Sequence, residues 1–323
     1  LSSSSAASDV YKRQVLMKFD DESKFERVLD ILQHLRITEV IRSPINVLCR
    51  NRVLSVKSKF PFDLVEKSGG GSMMSEKISK QIGVKNTVAS WNITTSIFGT
   101  SAQVAAAKKQ IKKELSCVNE KVFFFSESNI DNLKRFSFIS GPFVKLFAKV
   151  DIDEVYLVLK RAIGIFKGIP SNVSMRSPYW RSKSDYVESS DVNPAKDNCG
   201  LYWISPVIPF NGSECSKAYS VGRKVCDKYG FDFAPTYTVG GARFIDNTIP
   251  LMYNKDDEDE CARAYECYRE LIKSFKKNGF MIYRAGVTSM DLVVDSNDTF
   301  WKFKNTLKKG IDKNNIISPG RYE

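Results

Sequence analysis

The sequence predicts an α+β fold, in which a mostly antiparallel sheet is built from two ferredoxin-like halves and covered by helices on one face. Strand-like apolar runs alternate with amphipathic helical segments, and the same order returns after a long polar stretch in the middle of the chain. The chain has 323 residues, 42% of them hydrophobic and 12% aromatic. This length and composition are sufficient for a sizeable core.

The first half starts with an apolar run at residues 15–19, which we expect to be a strand. Asp20 or Asp21 can cap the helix that follows, whose apolar stripe consists of Phe25, Val28, Leu29, Leu32 and Leu35. A second helix is expected from Ala102 to about Leu115. Further strands are predicted at residues 45–54, 88–98 and 121–125. Residues 129–167 are expected to be helical or irregular and to wrap over the sheet.

The second half repeats this order. Strands are predicted at residues 201–210, 231–238, 243–253 and 281–284, and helices at residues 214–229, 256–277 and 298–309. The helix at 256–277 has an acidic first turn and a basic last turn, as the helix dipole favours. The last helix is expected to contact the core through Phe300, Trp301, Phe303 and Leu307.

Two loops separate these elements. Residues 67–75 contain Gly69-Gly70-Gly71, but no strand precedes and no helix follows them in the way a phosphate-binding loop requires, so no nucleotide site is predicted there. Residues 170–200 are long and polar and contain the segment MRSPYWR at 175–181. Long loops in compact domains are often functional.

The net charge of +12 is compatible with nucleic acid, an anionic membrane or an acidic partner. We prefer a lysine-rich surface, because the basic helix at 102–115 has no interleaved aromatic residues and the chain has no signature of a nucleic-acid-binding motif. No nucleic-acid partner is therefore expected. No apolar run reaches the roughly 20 residues of a membrane span.

The seven cysteines form no CxxC pair, and His34 is the only histidine, so we predict no metal site. The cysteines are expected to be reduced and mostly buried, which fits an intracellular compartment of unassigned identity. Residues 1–14 (LSSSSAASDVYKRQ) lack the apolar centre and cleavage motif of a signal peptide. They are similar to a translated sequencing adaptor, so the natural protein is expected to start upstream; the alternative is a short disordered tail.

Tyr283 and Arg284 are the first candidate site residues. A phenol beside a guanidinium offers a neutral donor and a permanent cation to one anionic oxygen, such as a phenolate or a flavin carbonyl. The alternative is a surface pair at a strand end. Gly320, Arg321 and Tyr322 form the second candidate site, since glycine lets the backbone approach a ligand closely. The alternative there is a terminal turn that only packs.

Three segments resemble the vanillyl-alcohol oxidase and 4-cresol dehydrogenase family of flavoenzymes: LYWISPVIPF at 201–210, FMIYRAGVTSMD at 280–291 and IISPGRY at 316–322. Shorter matches occur in the family's order at residues 41–43, 52–54, 98–100, 103–105 and 179–181. Together the matches extend over residues 15–322.

The resemblance implies that residues 15–279 are a substrate, or cap, domain and that residues 280–323 return to an FAD-binding domain that the chain does not contain. The complete enzyme would oxidise para-substituted phenols or aryl alcohols by hydride transfer to FAD, with Tyr283 and Arg284 holding the phenolate oxygen. Arg321 and Tyr322, with Gly320, would lie close to the flavin. The chain alone is expected to hold flavin weakly, to be inactive and to expose apolar surface where the absent domain would dock. A homodimer is left open.

The segment ARFIDNTIPLMYN at 242–254 matches the place where many family members attach FAD covalently through a histidine or tyrosine. Asp246 or Asn247 occupies that position, and neither is a plausible attachment residue, so the resemblance implies non-covalent FAD. Ala242 replaces a glutamate that some members carry, which puts water-assisted hydroxylation in doubt. Two alternatives stay open: an FAD-linked 2-hydroxy-acid dehydrogenase, which fits a chain with one histidine poorly, and a non-catalytic basic binding module.

Overall fold

The computed structural model describes residues 11–69, 71–126, 131–132, 156, 160, 164, 169–189 and 191–322. Within these residues the chain forms a nine-stranded sheet, and all its strand pairs are antiparallel. The predicted α+β class is therefore confirmed. Residues 129–167, which the sequence predicts to be helical or irregular, lie almost entirely outside the described residues.

The first half of the sheet has the element order of a ferredoxin-like fold, with three additional helices between its second and third strands. Its elements are β1 (Tyr11–Phe19), α1 (Phe25–Ile37), β2 (Ile45–Cys49), α2 (Arg50–Lys57), α3 (Phe62–Lys67), α4 (Glu76–Lys85), β3 (Trp91–Gly99), α5 (Ser101–Leu115) and β4 (Val122–Phe125). The strands are adjacent in the order β4, β1, β3, β2. At the start of α5, the Thr100 hydroxyl accepts the Gln103 N–H while the Gln103 side chain accepts the Thr100 N–H, which fixes the start of the helix.

The second half repeats this arrangement in mirror order. Its elements are β5 (Cys199–Ile204), β6 (Pro206–Pro209), α6 (Gly212–Tyr229), β7 (Thr236–Val239), β8 (Phe244–Asn254), α7 (Glu258–Lys277), β9 (Met281–Ile282), α8 (Met290–Val293) and α9 (Thr299–Ile311). The strands are adjacent in the order β7, β8, β6, β9, and β5 pairs with the remaining length of β8. The two predicted ferredoxin-like halves are both present.

The two halves join into one sheet because β2 pairs with β7, from Ile45 opposite Val239 to Leu48 opposite Thr236. The apolar sides of α1, α5, α6 and α7 pack with the inward strand residues into one main core. We call the face of the sheet under these helices the helix-side face, and the opposite face the far face. Side chains alternate between the two faces along each strand.

A buried ion pair fixes the loop that carries Tyr179-Trp180-Arg181. The Arg181 guanidinium donates from Nε and Nη2 to the two carboxylate oxygens of Glu260, at 2.7 and 3.1 Å. It also lies over the Phe60 ring, 4.1 Å from the ring centroid. This paired geometry binds the loop to the start of α7, because two parallel charge-assisted hydrogen bonds define both position and orientation.

A second buried carboxylate, that of Asp232, faces the same guanidinium. Its Oδ2 lies 3.8 Å from Arg181 Nη1, and its Oδ1 accepts the Met74 N–H at 3.1 Å. Burial raises the pKa of Asp232 to about 7, although the Arg181 charge acts in the opposite direction. We call Arg181, Glu260 and Asp232 the anchor cluster.

Three predicted strands differ clearly from the structure, and one of them, predicted at residues 231–238, begins only at Thr236. The strand predicted at residues 45–54 ends at Cys49, and the chain turns into α2, because the buried Arg50 side chain bonds to Glu76 and Ser90 instead of extending along the sheet. The strand predicted at residues 201–210 is divided into β5 and β6 at Ser205. Pro206 lacks an N–H, so the ladder is interrupted at this point.

The first strand begins four residues before Val15, its predicted start. β1 begins at Tyr11, because Tyr11 to Gln14 continue in register with β3, opposite Gly99 to Ser96. Residues 11–14 of the predicted non-native tail are thus part of the sheet, and residues 1–10 lie outside the described residues.

The last helix, α9, does not make the predicted core contacts. None of its residues is buried; Phe300 and Phe303 are 64% and 61% exposed, and Leu307 is 51% exposed. Only Trp301 packs against the main core, beside Tyr322. The periodicity correctly indicated an amphipathic helix, but most of its apolar side faces away from the described part of the chain.

The seven cysteines all lie in the described part of the chain and form no disulfide; five are buried, Cys261 is half-buried and Cys117 is exposed. Burial raises the pKa of the Cys49 thiol to about 12, which keeps it protonated and unreactive. In the described ranges, no helix is both long enough and apolar enough to cross a bilayer.

Candidate functional site

Tyr283 and Arg284 lie at the edge of the sheet, immediately after β9. The Tyr283 N–H donates to the Ser205 carbonyl at 2.7 Å, so the backbone is fixed to the segment between β5 and β6. Both side chains are exposed, and the Tyr283 side chain is 70% exposed. Their hydrogen-bonding groups are therefore available to a ligand.

The C-terminal candidates reach the same edge through Tyr322. The Tyr322 hydroxyl accepts the N–H of Ala285, the residue after Arg284, at 3.2 Å. The Tyr322 ring stacks on Trp301, with 6.1 Å between ring centroids. Gly320 has a φ of +73°, in a turn closed by the Arg321 N–H and the Ser318 carbonyl at 3.3 Å. The structure thus brings Tyr322 next to Arg284 along the backbone and leaves the Arg321 side chain exposed.

The far face carries a row of four polar side chains on four adjacent strands. Thr94 on β3 lies opposite Asn46 on β2, Asn46 lies opposite Thr238 on β7, and Thr238 lies opposite Asp246 on β8. The Thr238 hydroxyl donates to Asn46 Oδ1 at 3.2 Å. All four residues are half-buried. At a strand spacing of about 4.8 Å the row is about 14 Å long. We call these four residues the far-face row.

Asp246, at the end of this row, is connected to Tyr283 through Ser205. The Ser205 hydroxyl donates to Asp246 Oδ1, and the Ser205 carbonyl is the acceptor of the Tyr283 N–H. In the part of the chain that the structure describes, Asp246 Oδ2 accepts no hydrogen bond, and the carboxylate forms no ion pair. A half-buried carboxylate thus retains an oxygen with unused hydrogen-bonding capacity beside the predicted site.

Asn247, the neighbour of Asp246, points to the other face. It lies opposite Tyr237, whose hydroxyl donates to the Cys215 carbonyl on α6, and it is fully buried. Of the two residues that the sequence placed at the flavin attachment position, only Asp246 lies on the far face. Neither amide atom of Asn247 has a hydrogen-bond partner among the described residues.

Apolar side chains flank the polar row on the far face. Val207 on β6 lies opposite both Asp246 on β8 and Met281 on β9, and Phe244 lies two residues before Asp246. Met281 is 59% exposed and Phe244 is 49% exposed. A surface with exposed apolar side chains around a few fixed polar groups is suited to a flat, partly polar ligand.

Sequence reasoning missed Ser205 and three members of the far-face row. The signal was an alternation of polar far-face residues with residues that face the helices. It occurs in ITT at 93–95, TYT at 236–238 and IDN at 245–247. Which polar residues lie side by side depends on the pairing of strands that are distant in sequence. That pairing could not be read from any one segment.

Comparison with known proteins gives relatives across most of the chain. The 1'-carboxy-chondrochloren decarboxylase of Chondromyces crocatus is 24% identical over 304 residues, which cover 94% of this chain and 54% of that protein. The flavoprotein subunit of 4-cresol dehydrogenase [hydroxylating] from Pseudomonas putida is 23% identical over 304 residues, 94% of this chain and 50% of that protein. No family model matches the chain.

Solved structures share the fold. p-Cresol methylhydroxylase with bound substrate superposes with a TM-score of 0.75 at 21% identity, over 97% of this chain and 52% of that one. The 4-ethylphenol oxidase from Gulosibacter chungangensis, in complex with isoeugenol, gives a TM-score of 0.74 at 16% identity, over 97% of this chain and 53% of that one.

The chain spans about half the length of the curated relatives that it matches. The segments that resembled the flavoenzyme family therefore belong to a likeness that extends over nearly the whole chain in sequence and in fold. Over nearly its whole length the chain is thus similar in sequence to the flavoprotein subunit of a 4-cresol dehydrogenase, and it shares the fold of p-cresol methylhydroxylase.

Proposed function

We propose that this chain is the substrate-facing part of an FAD-dependent oxidoreductase that oxidises para-substituted phenols or aryl alcohols. The observation that carries the proposal is the exposed Tyr283–Arg284 pair, which is fixed through Ser205 to a polar far face. The names of the relatives, a 4-cresol dehydrogenase flavoprotein subunit among them, support flavin chemistry on a phenol.

The far face fits a flavin in its chemistry. Exposed Met281 and Phe244 provide apolar contact for a planar ring, and Thr94, Asn46 and Thr238 of the far-face row offer hydroxyl and amide groups to its polar edge. The exposed Arg321 guanidinium suits an anionic ring carbonyl. When bound, the flavin would supply the acceptor for a hydride from the para-benzylic carbon of the substrate.

Tyr283 and Arg284 would hold the phenol oxygen of the substrate. The Arg284 guanidinium favours the ionised phenolate by charge, and the Tyr283 hydroxyl donates a hydrogen bond to the same oxygen. An ionised oxygen makes the ring electron-rich, which favours departure of hydride from the benzylic carbon and leaves a quinone methide. Water addition or proton loss then gives an alcohol, an aldehyde or an alkene.

We further propose that residues 15–279, together with the start of β1, form the cap domain and that residues 280–323 dock on an FAD-binding domain. The exposed apolar side of α9, with Phe300, Phe303 and Leu307, supports this division, since apolar patches of this kind usually mark an interface. The chain by itself would then hold flavin weakly and lack turnover.

FAD is expected to bind non-covalently through this chain. Asn247 is enclosed on the helix-side face, and Asp246 on the far face is a carboxylate that is not a plausible attachment residue. Acid precipitation of the flavin-loaded enzyme should release the flavin into the supernatant. Flavin fluorescence that stays with the precipitated protein, and maps to a peptide of this chain, would contradict the expectation.

The test of the function is turnover by the flavin-loaded enzyme that contains this chain, with 4-substituted phenols as substrates. Arg284→Ala is expected to lower kcat/KM by roughly a hundredfold or more, as loss of an oxygen-directed donor does. Arg269→Ala is the matched control, because that arginine pairs with Asp291 outside the proposed site. Unchanged turnover in Arg284→Ala would refute the assignment.

A second candidate is decarboxylation of a phenol that carries a carboxylate, which the relationship to a decarboxylase favours. The same enzyme preparation would then release carbon dioxide from a 4-hydroxyphenyl carboxylic acid. Measurement of carbon dioxide together with the phenolic products separates the two reactions, because only decarboxylation releases carbon dioxide.

A further inference from the structure

We infer that Asp246 is a specificity-determining residue that selects phenols whose para substituent carries a positive charge or a hydrogen-bond donor, and disfavours those that carry a carboxylate. The inference rests on the proposed function, because it takes the phenol oxygen to be held by Tyr283 and Arg284. It adds the chemical class of the para substituent, which lies at the end of the substrate opposite the phenol oxygen.

The first support is the state of the Asp246 carboxylate. Oδ1 accepts the Ser205 hydroxyl, which fixes the orientation of the side chain, while Oδ2 has no hydrogen-bond partner among the described residues. The side chain is half-buried and has no cation paired with it in the described part of the chain. A carboxylate that is partly removed from water gains most from a ligand that supplies the absent donor or cation.

The second support is the separation between the two ends. Tyr283 follows β9, and Asp246 lies on β8, with β6 between these strands. Two strand spacings of about 4.8 Å each, with an offset of two residues along the strand, place the two backbone positions about 12 Å apart, and the side chains of both residues shorten the gap that a ligand must span. A phenol with a three-atom para substituent is of comparable length, so its oxygen and the end of its substituent can engage both sites at once.

The third support is the surroundings of Asp246. Its neighbours on the adjacent strands are Thr238 on one side and Val207 on the other, and its hydrogen-bond donor is the Ser205 hydroxyl. These groups are neutral, so Asp246 dominates the charge that a substituent would meet there. The whole protein is strongly basic, with a net charge of +12, so the carboxylate is a local exception to the general field.

Three phenols of matched length test the inference in the flavin-loaded enzyme that contains this chain: 4-(2-aminoethyl)phenol, 4-propylphenol and 3-(4-hydroxyphenyl)propionate. Asp246→Asn keeps an acceptor for Ser205 and removes the charge. We expect kcat/KM for the amine to fall about tenfold to a hundredfold, as for loss of a charged hydrogen bond. For the propyl compound it should stay within about threefold, and for the carboxylate it should rise.

The opposite direction for amine and carboxylate separates specificity from a structural defect, which would lower all three values together. Asp259→Asn makes the same change of charge on exposed α7 and should leave all three ratios as in the wild type. If Asp246→Asn does not fold, Ser205→Ala loosens the carboxylate and should shift the amine-to-propyl ratio in the same direction by a smaller factor.

The outcomes distinguish the two proposals. If the wild type turns over none of the three phenols, the proposed function fails, and the inference fails with it. If Arg284→Ala abolishes turnover but the ratios between the three phenols do not change in Asp246→Asn or in Ser205→Ala, the function stands and the inference is overturned.

Discussion

The anchor cluster and the far-face row use the same kinds of side chain in opposite ways. In the anchor cluster, Arg181 is almost fully enclosed and its donors are directed to Glu260 and the Ser72 carbonyl. In the far-face row, Asp246 is half-buried and retains an oxygen that meets no donor among the described residues.

This difference indicates which polar groups serve the fold and which remain available to a ligand. Buried charged groups in a stable protein are normally paired, because an isolated one is costly. In the anchor cluster, Arg181 and Glu260 satisfy that requirement with each other and hold a loop in place, and Asp232, whose buried Oδ2 has no hydrogen-bond partner among the described residues, has a raised pKa. The far-face row in the middle of the sheet, and Tyr283 and Arg284 at its edge, retain hydrogen-bonding groups without partners among the described residues. The comparison can be tested by removing groups from each cluster in turn.

The largest effect is expected from Glu260→Ala in the anchor cluster. The change leaves the Arg181 charge buried with only the more distant Asp232, and truncation of one partner of a buried ion pair typically costs about 3–5 kcal/mol. Urea denaturation of the chain measures the free energy of unfolding. Asp291→Ala, which breaks the exposed ion pair with Arg269, is the control and should cost less than about 1 kcal/mol. Equal losses in the two variants would remove the distinction between the clusters.

The second effect concerns the pH dependence of stability through Asp232. Its folded-state pKa of about 7 lies above the value of about 4 in an unfolded chain, so the folded protein holds an extra proton between these values. The stabilising contribution is therefore complete below about pH 4 and is lost as the pH rises through 7, with a magnitude of about 4 kcal/mol at most.

Asp232→Asn should remove this dependence. The difference in free energy of unfolding between wild type and variant, measured at several pH values from 4 to 8, is expected to change steadily in favour of the variant as the pH increases. A difference that is constant over this interval would show that burial does not raise the pKa of Asp232 above its value in the unfolded chain.

A smaller effect is expected in the far-face row. Asp246→Asn should change the free energy of unfolding by less than about 1 kcal/mol, because the carboxylate has one neutral donor and forms no ion pair among the described residues. Chemical denaturation beside Glu260→Ala gives the comparison directly. A loss of 3 kcal/mol or more would mean that Asp246 is part of the scaffold, as the anchor cluster is.

The smallest effect on stability is expected at α9. Phe303→Ser should change the free energy of unfolding of the chain by less than about 0.5 kcal/mol, because the side chain is 61% exposed. Trp301→Ala should cost more, because its ring packs on Tyr322 and the main core. Thermal unfolding of both variants would test this order, and a larger loss at Phe303 would contradict the exposed position of that side chain.

The sequence was sufficient for the fold but not for the candidate site. Alternating apolar patterns and cap residues such as Thr100 determine many elements locally, so the strands and the long helices could be predicted, whereas α2, α3 and α4 between β2 and β3 were missed. α9 shows where this reasoning ends: periodicity reveals an apolar side but does not tell which surface covers it. Phe300 and Phe303 were therefore assigned to a core that they do not enter.

The candidate site depends on pairings between distant strands. Tyr283 and Arg284 were recognisable as a dipeptide, but their connection to Asp246 passes through Ser205, at a break that the sequence presented as one continuous strand. The assignment of site roles to Tyr283, Arg284, Gly320, Arg321 and Tyr322 stays a prediction, to which the structure adds their positions at one edge of the sheet.

The pairing of β2 with β7 has a consequence for how the protein folds. In the far-face row, Thr94 and Asn46 belong to the first half of the sheet, and Thr238 and Asp246 belong to the second. The hydrogen bond between Thr238 and Asn46 joins residues that are 192 positions apart in the chain. Contacts this far apart in sequence form slowly, because the entropy cost of closing a long loop comes before the favourable free energy of the contact. The complete row therefore exists only when the two halves are paired through β2 and β7, and neither half can present it alone.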